Sequence, residues 1–283
     1  MVAAPESALA DEALARLLTE DVPYGDLTTD QLGIGARPAA LTFAARAAMT
    51  VCGTEEAARL FELAGARARV VAPSGTASDG LLLRAEGSAA ALHRVWKTAQ
   101  VLVELYSGIA SGAAALVETL RAAGHATPIA CTRKHFPGTK AMAAKAVRCG
   151  GATMHRLGLS ETLLLFHEHR LFLDETPAQT VARSRECQPE RGLVVEVSDE
   201  EEALAWAEAG APVLQLERFD PARVRRLKET LAEKGLSPLI AIAGGVRPSN
   251  AVAYAEAGAG LLVSSAPYHA GPKDVKVVFS KAG

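Results

Sequence analysis

Between positions 132 and 169 the chain sets cations and imidazoles where a folded core would place Val or Leu. The segment opens Thr132-Arg133-Lys134-His135-Phe136-Pro137-Gly138 and continues through His155-Arg156-Leu157-Gly158-Leu159-Ser160. Adjacent cations after short apolar runs are unfavourable in a core, and a site that binds an anion offsets that penalty. Arg133, Lys134, His155 and Arg156 supply forked and point donors suited to carboxylate or phosphate. Taken singly, each could be a salt bridge at a helix start; four at adjacent strand ends predict an anion pocket.

An acidic half follows. Glu196 interrupts Leu193-Val194-Val195-Glu196-Val197, and Glu217 follows Val213-Leu214-Gln215-Leu216. Two carboxylates at the tops of neighbouring strands can hold Mg²⁺ or face a developing positive charge; the alternative is that each pairs with a nearby Arg or Lys. Gly244-Gly245 closes Leu239-Ile240-Ala241-Ile242-Ala243 before a helix from Pro248, a pattern that offers backbone N–H groups to a phosphate. Ser264 and Ser265 end the next strand beside it. His167-Glu168-His169 lacks the helical His-Glu-x-x-His spacing, so orientation or hydrogen bonding is expected there, not zinc. No strand is followed by Gly-x-Gly-x-x-Gly, and the stripe Trp96, Leu102, Leu105 and Tyr106 reads as core or interface.

The elements that must position these residues alternate. Strands are expected at Ile129 to Thr132, Ala152 to His155, Leu163 to Phe166, Leu193 to Val197, Val213 to Leu216, Leu239 to Ala243 and Gly260 to Ser264, mostly with a helix between. Asp220 and Pro221 start the clearest helix and Gly235 stops it. About seven βα units predict a β/α barrel, open or incomplete, with every candidate at a carboxyl strand end. Earlier in the chain, Ser7 to Thr19 has helical spacing. Positions 38–92 mix strand-like pieces with a helix over Thr54 to Ala64, a small α+β domain, and a helix from Ala89 to Tyr106 leads out of it.

With 283 residues, 49% of them hydrophobic, the chain can bury one barrel or two modest domains. Its net charge of −2 predicts no nucleic-acid partner. Cys52, Cys131, Cys149 and Cys187 form no close pair and are expected to be reduced, mostly buried thiols of a cytosolic (cytoplasmic) protein. Met1 to Ala10 lack the pattern of a signal peptide, and apolar runs are cut before about 18 residues, so no membrane span is expected.

The central block resembles quinolinate phosphoribosyltransferase (nicotinate-nucleotide pyrophosphorylase, carboxylating) over nearly the whole chain. The resemblance rests on Thr132-Arg133-Lys134 with Pro137-Gly138, Lys145 through Gly151, His155 through Ser160, Gly25-Asp26-Leu27-Thr28-Thr29 and Ser107-Gly108-Ile109-Ala110. It implies an α/β fold: an N-terminal α/β sandwich domain over 1–106, an incomplete α/β barrel over 107–270, and a segment 271–283 packing back on the N-terminal domain. It implies a homodimer or higher homo-oligomer with shared sites. The implied reaction joins quinolinate to phosphoribosyl pyrophosphate (PRPP) with Mg²⁺ and yields nicotinate mononucleotide, CO₂ and pyrophosphate.

By motif, the resemblance makes Arg133, His155 and Arg156 acceptor-binding cations and Lys134 a lysine near both substrates. Glu196 and Glu217 become the ribose and metal carboxylates, Ala243, Gly244, Gly245, Ser264 and Ser265 the 5′-phosphate site, and His169 a substrate contact. Lys97 matches an arginine that reaches the neighbouring subunit's site. Phe166 stands where the family has a lysine, Glu217 where it has Asp, Ala243 where it has Ser and Ser265 where it has Gly. The variant spelling Thr-Arg-Lys-x-Phe-Pro-Gly with Phe-x-x-His-Arg is similar to the ModD branch, encoded with molybdate-transport genes. Three readings stay open beside the family reaction: another aromatic carboxylate as acceptor, a Schiff-base aldolase on Lys134, and a non-catalytic protein binding a phosphometabolite or an oxyanion.

Overall fold

The computed structural model describes residues 7–282; Met1 to Glu6, on which the leader expectation also rests, lie outside the described residues. In chain order the first elements are α1 (Asp11–Asp21), α2 (Leu27–Gln31), β1 (Pro38–Ala45), β2 (Met49–Thr50), α3 (Thr54–Leu63), β3 (Arg67–Val70), β4 (Ala77–Ser78), β5 (Leu81–Ser88) and α4 (Ala89–Ala122). There follow β6 (Ile129–Cys131), α5 (Lys140–Cys149), β7 (Thr153–Met154), β8 (Leu163–Leu165), α6 (His167–Arg170), α7 (Pro177–Cys187) and β9 (Leu193–Val197). The remainder is α8 (Glu200–Glu208), β10 (Val213–Glu217), α9 (Pro221–Glu233), β11 (Leu239–Ala243), α10 (Pro248–Glu256), β12 (Leu261–Ser264), a 3₁₀ turn at Ala266–His269 and β13 (Val275–Lys281). Two compact units result: 7–114, 135–151 and 267–282 form one, and 115–134 with 152–266 form the other.

In the first unit an antiparallel sheet runs β13-β1-β5-β3, and β2 pairs with β4. Alternation along β1 buries Leu41 and Phe43, and Phe43 meets Phe61 of α3 edge-on at 5.9 Å. A fully buried ammonium, Lys145 of α5, donates to Glu56 Oε2 at 2.7 Å and to Glu55 Oε2 at 2.9 Å. Those two carboxylates hold the Lys145 pKa above its ordinary value although burial pulls it down.

The helix expected over Ala89 to Tyr106 continues to Ala122. Ser107-Gly108 and Ser111-Gly112 look like breakers but serve packing. A Cβ on Gly108 would meet Gly271 O at 2.5 Å, and one on Gly112 would meet Ala270 Cβ at 2.9 Å. The helix stays whole and the missing side chains admit a neighbouring backbone. Among the described residues α4 is the one helix long and apolar enough, by length and composition, to cross a membrane. Counting uninterrupted apolar runs overlooked it, and its Leu92, Val95, Ala99 and Val103 lie in the buried core. All four cysteines are free, but Cys187 is exposed and Cys149 half-buried, against the expectation of mostly buried thiols.

The second unit is a curled parallel sheet of seven strands in the order β7-β6-β12-β11-β10-β9-β8. With no pairing between β7 and β8, the barrel is incomplete, as the seven βα units predict. Side chains alternate, so one face carries Leu214, Leu216 and Ile242, all fully buried. The other face gathers Val213, Ala241, Ala243, Leu261 and Val263 into a small interior cluster. Helices start as the sequence dictates: Asp220 Oδ1 accepts from Arg223 N at 2.8 Å ahead of Pro221, and Asp199 Oδ1 accepts from Glu202 N at 2.8 Å.

Candidate active site

Register decides which residues share the interior. Glu196 lies opposite Gln215, Gln215 opposite Ala241, and Glu217 opposite Ala243, so these side chains project on the face of the small apolar cluster. The same ladder runs past the last paired residues on the other side. Thr132 N donates to Ser264 O at 3.0 Å, and His155 N donates to Cys131 O at 2.9 Å. The carboxyl ends of β6 and β7 therefore bring Arg133, Lys134, His155 and Arg156 to one rim.

The cations differ in environment. Arg133 and Lys134 are exposed, His155 is half-buried, and Arg156 is only 7% exposed. Burial lowers the Arg156 pKa first, and the charge of Arg133 lowers it further. Burial, then the charge of Arg156, pulls the His155 imidazole below its usual pKa. No carboxylate among the described residues pairs with Arg156; its guanidinium faces the Phe166 ring at 5.4 Å instead.

Phe166 closes β8 and begins α6. His167-Glu168-His169 is thus one turn of helix, where the sequence suggested residues at a strand end. The Phe166 N–H donates to His169 Nδ1 at 3.0 Å, and the two rings stack at 5.7 Å. His169 Nδ1 is thereby taken, which leaves Nε2 outside that bond, and the ring contacts run Arg156–Phe166–His169.

On β9, the neighbour of β8, Glu196 Oε2 accepts from Gln215 Nε2 at 2.7 Å. Burial raises the Glu196 pKa above the ordinary carboxylate value; the Gln215 bond opposes that, and the charges of Glu217 and Glu168 add to it. Glu217 is half-buried and has Arg218 as its close cation, at 3.4 Å. This hard-oxygen set is short of positive charge, which fits a divalent cation or a ring of sugar hydroxyls.

Gly244 and Gly245 both have left-handed backbone, φ +84° and +81°. A Cβ on Gly244 would lie 2.8 Å from Glu217 Oε1, whereas Gly245 faces open space. Ser264, expected as a phosphate donor, is only 2% exposed and its hydroxyl is engaged: it donates to Val246 O at 2.7 Å and accepts from Ala266 N at 3.1 Å. It clasps the loop, and half-buried Ser265 is the hydroxyl beside it. Ala243 is buried, with its carbonyl taken by Arg218 N at 3.0 Å. Lys97 belongs to the other unit, where its ammonium sits 4.3 Å from the Trp96 ring centre and donates to Gln100 Oε1 at 3.1 Å.

Comparison with known families gives a match to the N-terminal domain of quinolinate phosphoribosyl transferase over residues 26–107 and to its C-terminal domain over residues 109–278. The chain belongs to the quinolinate phosphoribosyl transferase family. It is 49% identical to ModD of Rhodobacter capsulatus over 249 residues, covering 85% of this chain and 94% of that protein. It is 34% identical to ModD of Pasteurella multocida, covering 96% and 98%. The fold matches nicotinate-nucleotide pyrophosphorylase from Francisella tularensis with TM-score 0.86 at 20% identity, covering 95% of each chain. It also matches NadC from Streptococcus pyogenes with TM-score 0.86 at 23% identity, covering 96% and 97%.

Sequence reasoning passed over two residues of this transferase-family site. Arg170 donates Nη1 to the Glu196 carbonyl at 2.7 Å and pairs Nη2 with Glu202 Oε1 at 2.6 Å, tying α6 to β9 and α8. Gln215 holds Glu196. Its signal was a polar residue inside Leu214-Gln215-Leu216, weaker than a charge and easily read past.

Proposed function

We propose that the chain is a PRPP-dependent phosphoribosyltransferase, taking quinolinate and PRPP to nicotinate mononucleotide, CO₂ and pyrophosphate. The observation that carries this reading is Arg156: a guanidinium only 7% exposed, without a carboxylate partner, beside Arg133 and a half-buried His155. A buried cation of this kind is complete only with an anion between it and its neighbours. Arg133, His155 and Arg156 orient the acceptor carboxylate, and His169 presents Nε2–H to it. Lys134 lies against the leaving pyrophosphate. The Gly244-Gly245 backbone and Ser265 take the 5′-phosphate, and Glu196 and Glu217 hold the ribose hydroxyls.

Mg²⁺ would be held by Glu196 and Glu217 with the diphosphate, and when bound it neutralises the leaving group. The ring nitrogen of the acceptor forms its bond to ribose C1′ as the C1′–O bond breaks, and pyrophosphate leaves with the electron pair. With quinolinate, the carboxylate beside that nitrogen then departs as CO₂, its bonding pair stays on the ring carbon, and that carbon takes up a proton from solvent. Orientation by the cationic rim and the excluded water of the interior supply most of the rate. A homodimer in which Lys97 reaches the partner's site completes the reading.

Phe166 favours a second acceptor. Its ring covers Arg156 at 5.4 Å where a dicarboxylate would be served by another cation, so an aromatic monocarboxylate is the alternative substrate of the same chemistry. Pyrophosphate release from PRPP and Mg²⁺, with quinolinate and then a panel of aromatic carboxylates, tests both. Release with one acid, abolished in Arg133→Ala and Glu196→Ala proteins that keep their circular dichroism, is the expected result. Binding of PRPP without release across the panel would overturn catalysis in favour of a sensor.

A further inference from the structure

The interior of the barrel contains one polar group that neither the fold nor its own bonding accounts for. Gln215 is 4% exposed, flanked in sequence by the fully buried Leu214 and Leu216, and beside Ala241 in the sheet. Its Nε2 donates to Glu196 Oε2 at 2.7 Å. Its Oε1 has no partner, the one buried side-chain oxygen or nitrogen so placed among the described residues. Turning the amide over would set Oε1 against the Glu196 carboxylate, acceptor against acceptor, so the carboxylate fixes which end is left free. A Met of similar length would fill the same space with no unpaired oxygen. For folding alone, the lost donor to Glu196 and the removed unpaired oxygen roughly offset each other. What it adds is the bond to Glu196.

We propose that Gln215 is a positioning residue: it occupies Glu196 Oε2, fixes the carboxylate in one orientation, and leaves Glu196 Oε1 for a hydroxyl of the sugar phosphate. Arg170 holds the backbone of the same residue through the Glu196 carbonyl, at 2.7 Å, so main chain and side chain are both pinned. Glu217 lies on the same face two residues beyond Gln215. The wall is then acceptor-only and ordered, which suits the vicinal diol of a ribose. This inference rests on the phosphoribosyltransferase reading given above.

Calorimetry with ribose 5-phosphate as the probe, and quinolinate as a second ligand, tests it on the full chain. Gln215→Met is expected to melt close to the parent temperature. It should bind ribose 5-phosphate about tenfold more weakly and leave quinolinate affinity within about twofold. In steady state the same variant raises KM for PRPP more than it lowers kcat. In a Glu196→Ala background, Gln215→Met should cause no further loss, because the residue acts through Glu196. Gln215→Asn keeps the amide but shortens its reach; it should weaken ribose 5-phosphate in the same way, and it carries the measurement if the Met variant does not fold.

Unchanged ribose 5-phosphate binding in a folded Met or Asn variant overturns the proposal and leaves the transferase reading standing. So does a full additional loss on the Glu196→Ala background, or an equal loss for both ligands. A parent protein that binds neither PRPP nor ribose 5-phosphate overturns both readings together.

Discussion

At the scale of single residues, the site balances unmatched charges. Glu196 holds its proton more tightly than an ordinary glutamate because it is partly buried and near Glu217 and Glu168. In the unfolded chain that proton leaves near pH ~4.3. As pH rises from there through the folded-state value, the unfolded chain deprotonates first, so stability falls across that window and the penalty is complete above it. Glu196→Gln should therefore raise the melting temperature at neutral pH, narrow its advantage in acid, and remove turnover. Melts of both proteins from about pH 4 to 8 check this; a variant that melts lower than the parent at neutral pH would contradict it. The cationic residues were legible in the sequence because they come as adjacent pairs after short apolar runs. Two features were not. That Arg156 lacks a carboxylate partner depends on what folds around it, and Gln215 carries no charge to betray it.

At the scale of elements, the carboxyl ends of the strands set every distance that matters, and the glycines there are not equivalent. Alanine at Gly244 or Gly245 costs about 1–2 kcal/mol of left-handed backbone strain in either case. Only at Gly244 would the new methyl meet Glu217 Oε1, at 2.8 Å. Both variants should lose similar stability and some phosphate affinity, with Gly244→Ala losing about a hundredfold more in kcat/KM than Gly245→Ala. Equal activity losses would remove Glu217 from the account. The seven strands of the barrel and the capped helices after Asp199 and Asp220 were readable from period and punctuation. Helix α4, expected to end at Tyr106, runs on to Ala122 past Gly108 and Gly112, whose missing side chains let another backbone approach. The turn of helix at His167–Arg170 is too short to leave a period.

At the scale of the whole molecule, the chain visits one unit three times and the other twice, an interleaving that no local pattern announces. Within the first unit, Lys145 of the segment 135–151 is held by Glu55 and Glu56, some ninety positions earlier. Lys145→Met would strand the fully buried Glu56 carboxylate, and a loss of about 3–5 kcal/mol in denaturant unfolding is expected. Adding Glu56→Gln should recover much of it; no recovery would show that packing, and not charge, was lost. The pairing of β1 with β13 has a different consequence, for the ribosome. Ala45 meets Val275 and Ala39 meets Lys281, so one edge of β1 has no mate until residues 230 to 242 positions later emerge. At roughly 5–20 residues per second, that edge is open for on the order of ten to fifty seconds in every round of synthesis. During that interval the nascent chain offers a bare strand to any neighbour, and its yield in the cell depends on what shelters it.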